Sequence, residues 1–296
     1  MTIREELGRA AGRAGDLPPE RRGPTARFVL SRLTAEGGFA DRAGAADLYY
    51  TLFGLECLAA VGAELPLGPV RGYLGGFGDG GRLDLVHLGC FARCLLLTGD
   101  GVGEALRRRI LARVEDQRAR DGGYGPAPDA DAGTVYGCFL ALGLYQDLGA
   151  DMPAPEGVIA CVRSLRAPDG GYANSASIPV GNVPATAAAA TVLRHLGAPV
   201  DPSVSDWMRS RHCDGGGFAA APLLSEPDLL STATAVHALA HMGADLAAVR
   251  AGVLRFVEAL RCGDGGFRGH RGNDDPDCEY TFYGLMTLGH LAADAC

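Results

Sequence analysis

No stretch of this chain approaches the roughly 18 consecutive apolar residues of a membrane span. Its first residues, "MTIREELGRAAGRAGDLPPERRG", lack the apolar core of a signal peptide, and the resulting expectation is a cytoplasmic protein. An excess of positive charge is also missing. The formal net charge of -8 argues against a general footprint for nucleic acid or an anionic membrane surface. The nine cysteines include no CxxC pair, so a disulfide framework or a zinc knuckle is not expected, and buried thiols in a reducing compartment are. Cys90 and Cys94, one helical turn apart in "LGCFARCLLL", read as core residues rather than metal ligands.

What is abundant is glycine in pairs. They fall at 37, 80, 122, 170, 215 and 265, with aspartate before five of them and Glu36 before the first. Six copies of one unit therefore fill the chain, each pair reading as the turn after a helix because glycine tolerates positive φ. Before the pairs stand amphipathic segments such as "RRRILARVEDQRAR" and "GVLRFVEALR". After them come segments such as "DLYYTLFGLECLAAVG" and "EYTFYGLMTLGHLAA", apolar or small nearly all round, as in a helix packed on every side. The unit is an outer amphipathic helix, a Gly-Gly turn, a short loop and an inner buried helix. The expected fold is all-α, an (α/α)6 toroid barrel of six helical hairpin repeats, since no polar capping repeats end the series as an open solenoid requires. Residues 25–296 form its single domain, after a polar segment over 1–24.

The repeats "DGGY", "DGGGF" and "GDGGFRG", each followed by an inner helix, resemble those of the protein prenyltransferase β subunits and the squalene and terpene cyclases. "GGFADRAGAADLYYTLFG" is similar to a repeat of the Rab geranylgeranyltransferase β subunit. In "EDQRARDGGYG", Gln117, Gly123 and Tyr124 stand where a degenerate QW motif of the cyclases has its own residues. The resemblance implies a central cavity for an isoprenoid or another long apolar molecule.

In such a barrel every inner helix starts at one end. That end gathers Asp47, Tyr49 and Tyr50, then Asp84 and His87, then Asp129, Asp131 and Tyr136, and finally Asp277, Glu279 and Tyr280. Capping is the structural alternative for any one of these acids, whereas several acids together would raise one another's pKa. The resemblance to prenyltransferases implies zinc held by an Asp-x-Cys and a His. Here the Asp is matched by Asp228, but the Cys falls on Leu230 and the His on Tyr280, and leucine offers no donor. The cyclase resemblance implies a D-x-D-D-T acid motif. "PDADAGT" matches its first two acids with Asp129 and Asp131, and "PDCEYT" supplies Asp277, Glu279 and Thr281.

The expected function is acid-initiated cyclisation of an isoprenoid without zinc. Asp131 or Glu279 is the acid, Asp129 and Asp277 support it, and Tyr49, Tyr50, Tyr136, Tyr280, Phe282 and Tyr283 line the substrate and stabilise the cation. Closure of the ring sets repeat six beside repeat one, bringing Arg268, His270 and Arg271 near Arg42 as a site for an anionic head group. The plainer alternative pairs these arginines with Asp274 and Asp275. No cofactor is required, and a divalent metal on Asp47, Asp84, His87 and Glu279 is the weak alternative. Two other readings remain open: a divergent prenyltransferase β subunit with a protein partner, and a toroid that binds without catalysis.

Overall fold

A computed structural model describes residues 1–272 and 275–292; Asp274 and Cys296 lie outside them. Among the described residues, thirteen α-helices account for most of the chain. The six inner helices are α3 (Leu48–Ala60), α5 (Leu85–Leu97), α7 (Val135–Asp147), α9 (Val183–His195), α11 (Leu229–His241) and α13 (Cys278–Ala292). The outer set is α2 (Pro19–Ser31), α4 (Leu67–Gly75), α6 (Glu104–Glu115), α8 (Pro155–Ser164), α10 (Ser203–Arg209) and α12 (Ala247–Leu260), and α1 (Ile3–Gly12) precedes both. Among the described residues no helix is long and apolar enough to cross a membrane.

The helices divide between two compact units. One comprises Met1–Ile3 and Arg108–Val253, and in it α9 packs between α7 and α11. The other comprises Arg4–Arg107 and Leu254–Cys296, and in it α3 packs between α5 and α13. The last inner helix therefore lies against the first, as the closure argument expects.

The repeat is built on its glycines. Gly37, Gly80, Gly122, Gly170 and Gly265 all have positive φ, and a Cβ on Gly37 would meet Pro69 O at 2.2 Å, while one on Gly265 would meet the Pro24 carbonyl carbon at 2.4 Å. These turns need glycine both for conformation and for room against the neighbouring outer helix. In the fifth repeat the left-handed residues are Gly216 and Gly217, so the pair expected at 215 is shifted by one. Gly216, whose N–H bonds Cys213 O, is the glycine packed on Gly252. The recurrent aspartate caps its own turn: Asp79, Asp121, Asp169 and Asp264 each accept the N–H of the residue two positions on.

A second recurring device passes unnoticed in the sequence. In five of the six repeats the residue after the glycine turn is a buried aromatic, and its N–H is received by the fourth residue of the inner helix. Thr51 takes Phe39, Thr186 takes Tyr172, Thr232 takes Phe218 and Thr281 takes Phe267, while Cys138 replaces threonine for Tyr124. This satisfies a buried donor and locks loop to helix.

The polar segment at the N-terminus is packed. Ala10, Ala11 and Ala14 are buried, Gly8 faces the Glu56 carboxylate, and the Ala10 carbonyl lies where a side chain on Gly289 would stand.

Candidate active site

The N-terminal ends of α3, α5 and α13 carry the candidate site. Their caps are Asp47, Asp84 and Asp277, which accept N–H groups from Tyr49 and Tyr50, from His87 and from Tyr280. Capping therefore accounts for one oxygen of each aspartate. In the third repeat the cap is Thr134, which receives the Gly137 N–H. Asp129, Asp131 and Tyr136, placed by analogy with these caps, belong to the other unit and are exposed. Asp131 is 88% exposed and pairs with Arg120 at 3.0 Å. It therefore has none of the desolvation that the role of general acid was expected to draw upon.

Glu279, one residue into α13, is different. Its side chain is only 13% exposed, and Oε1 accepts a 2.7 Å hydrogen bond from the Tyr49 phenol. Arg42 donates from Nε to Asp277 at 2.8 Å and sets Nη2 at 3.5 Å from Glu279 Oε2. One guanidinium thus serves two carboxylates. Burial pushes the Glu279 carboxyl up, reinforced by the charge of Asp277 and opposed by the Tyr49 hydrogen bond and by Arg42. Burial also raises Asp277, 1% exposed, against the Tyr280 N–H and the Arg42 contact. Nearby, burial lifts the Tyr50 phenol to about 12, so it stays neutral at any physiological pH.

An aromatic cluster extends from Tyr49. Tyr49 packs edge-on to Tyr50 and to Phe53, at 5.7 and 4.9 Å, and Phe53 meets Phe282 and Tyr283 at 5.5 and 5.7 Å. Tyr280 lies under the Arg42 guanidinium at 5.0 Å. Phe53 was absent from the sequence-based set, although its place four residues after Tyr49 puts both on one helix face.

The loop expected to join Arg42 in an anion site has contacts of its own. Arg268 donates to the Ala259 carbonyl, and His270 Nδ1 accepts the Gly272 N–H. Arg271 is exposed. The loop approaches the site through Gly269, where a Cβ would collide with the Tyr280 ring. Asp275 is exposed, and Asp274 is outside the described residues.

The metal alternative gathers no ligand set. His87 Nδ1 is 2.8 Å from Asp84 and Nε2 is 3.4 Å from Asp47, so the two aspartates meet opposite edges of one imidazole, and Glu279 is turned to Tyr49. Nor do the residues fit the prenyltransferase zinc. Asp228 accepts both the Ser231 N–H and its hydroxyl, and Leu230 has no donor atom.

Alternating inner and outer helices, glycine turns against the neighbouring helix, and acids at the starts of the inner helices define an α/α toroid. The chain belongs to the prenyltransferase alpha-alpha toroid domain family, which matches residues 21–88 and 186–294. No protein of curated function matches it in sequence. Among solved structures it is similar to protein geranylgeranyltransferase-I of Candida albicans complexed with GGPP, with 14% identity, 90% of each chain covered and a TM-score of 0.69. It is also similar to a variant of the type II terpene cyclase MstE from Scytonema, in complex with merosterolic acid A, with 13% identity, 98% of each chain covered and a TM-score of 0.62. A protein from Actinoplanes gives 17% identity over 94% of this chain and 99% of its own, with a TM-score of 0.63. At these identities the likeness is one of fold.

Proposed function

We propose that this protein binds an isoprenoid or similarly long apolar molecule and cyclises it by proton-initiated carbocation chemistry, with Glu279 as the acid. The observation that carries this reading is a desolvated glutamate whose Oε1 is held by Tyr49, beside a cluster of aromatic rings. With Oε1 engaged as an acceptor, the carboxyl proton sits on Oε2. Transfer of that proton to an alkene carbon forms a C–H bond, converts the π bond to a tertiary cation and leaves Glu279 as carboxylate. The Tyr49 hydrogen bond and Arg42 stabilise that carboxylate. The ring faces of Phe53, Phe282 and Tyr283 stabilise the cation, and loss of a proton from the final cation balances the first step. The two similar enzymes, one complexed with GGPP and one with a terpene-derived product, support the substrate class.

Geranylgeraniol offered in D2O is the test. The wild-type protein is expected to return a cyclic isomer carrying one deuterium, and Glu279→Gln to lose about 100-fold or more in rate, the scale of a general acid. A variant as active as wild type, or a product without deuterium, would eliminate the reading. Stoichiometric zinc together with prenyl transfer to a cysteine peptide would replace it with the prenyltransferase alternative.

A further inference from the structure

The same unit contains a cleft of about 610 Å³ between α2 and the loops of the first and sixth repeats. Arg27 of α2 and Arg32, the residue that caps its C-terminus, line it together with Arg42, Asp264 and Asp275. The chain has no lysine, so every side-chain cation other than a protonated histidine is an arginine, the residue whose planar fork suits phosphate oxygens. We propose that this cleft binds a phosphate-type anion and that Arg42 couples its occupancy to Glu279.

Three observations lead there. Among the described residues neither Arg27 nor Arg32 has a carboxylate partner, in contrast to Arg21 of the same helix, which pairs with Glu258 at 2.6 Å. Arg32 spends Nη2 on the Asp41 carbonyl at 3.0 Å, which anchors its guanidinium at the cleft wall. Of the two acids that line the cleft, Asp264 and Asp275, Asp264 already has one oxygen on the Gly266 N–H.

Arg42 is the link. Its Nε holds Asp277, while its contact with Glu279 is long at 3.5 Å, and the side chain is half-exposed and lines the cleft. An anion taking the remaining N–H groups draws the guanidinium from Glu279 and adds negative charge beside it. The charged and titratable groups around Glu279 are Tyr49 and Tyr50 from α3, Arg42 from the preceding loop, and Asp277 and Tyr280 from the start of its own helix. Of these, Arg42 alone is a cation, so its diversion leaves Glu279 holding its proton to higher pH. The coupling rests on the acid role given to Glu279, whereas anion binding in the cleft does not.

Titration calorimetry of inorganic phosphate into the full chain at constant ionic strength tests the cleft. One saturable site is expected, weakened about tenfold or more in Arg27→Gln and in Arg32→Gln and unchanged in the exposed control Arg82→Gln. Absence of a saturable site, or equal affinity in all variants, overturns the proposal. Unchanged melting temperatures guard against unfolding as the cause of a loss. Tighter binding of dodecyl phosphate than of phosphate assigns the anion to the head of a long apolar molecule, and the reverse order to a free anion. The coupling is read from the carboxyl 13C titration of Glu279, expected to move to higher pH with phosphate in wild type and not in Arg27→Gln. Phosphate binding with an unmoved titration overturns the coupling. Failure of the cleft leaves the deuterium experiment on Glu279 untouched, so the two proposals fail separately.

Discussion

The Tyr49 phenol donates a 2.7 Å hydrogen bond to Glu279 Oε1, joining the first inner helix to the last across 230 residues of sequence. That bond fixes the orientation of a carboxyl whose pKa burial raises. It also favours the ionised form, so it both holds the acid and moderates its pKa.

Removing the phenol separates these effects. Tyr49→Phe is expected to lower turnover and to push the Glu279 pKa further up. Because the acid works when protonated, activity falls as pH rises through that pKa, and the alkaline limb of the pH–rate profile should move to higher pH in the variant. A limb that moves to lower pH would contradict the assignment.

Stability should carry the same signature. A carboxyl whose folded pKa exceeds its unfolded value contributes stability that is complete below the unfolded value and lost as pH rises through the folded one. Glu279 has this sign, and Glu279→Gln cannot ionise. The melting temperature of the variant relative to wild type should therefore be higher at pH 8 than at pH 4. The opposite trend in paired thermal scans would show that Arg42 and Tyr49 outweigh burial.

Asp131→Asn tests the discarded acid. The side chain is exposed and its ion pair with Arg120 is at the surface. Turnover and melting temperature are both expected to match wild type. A large loss of turnover at unchanged stability would return Asp131 to the site.

Much of this architecture is legible in the sequence because it is periodic. The glycine pairs, the contrast between "GVLRFVEALR" and "EYTFYGLMTLGHLAA", and the absence of polar end repeats lead to alternating helices and to α13 beside α3. Placing Glu279 and Tyr49 at adjacent helix starts follows from that. What escapes the sequence is what depends on single-residue register. "DGGGF" offers two possible glycine pairs, and only packing on Gly252 selects Gly216. "PDADAGT" offers two aspartates and a threonine as caps, and the helix begins after the threonine. The partner of Arg42 is likewise invisible, since Asp277 lies 235 residues away.

Closure of the sixth repeat on the first has a mutational test. Gly44→Ala meets no atoms within 4 Å, so it carries the backbone cost of positive φ alone, about 1–2 kcal/mol. Gly265→Ala adds a collision with the Pro24 backbone and should cost roughly 3 kcal/mol or more. Equal losses in denaturant titrations would mean that Gly265 does not press against α2.

The most direct test of the central claim needs no substrate. In protein labelled at glutamate carboxyl carbons, the resonance absent from Glu279→Gln reports the acid itself. Its midpoint is expected above the ordinary glutamate value of about 4.3. A midpoint at or below that value would mean that Glu279 is a plain carboxylate held by Arg42, and the proton-donating role would be withdrawn.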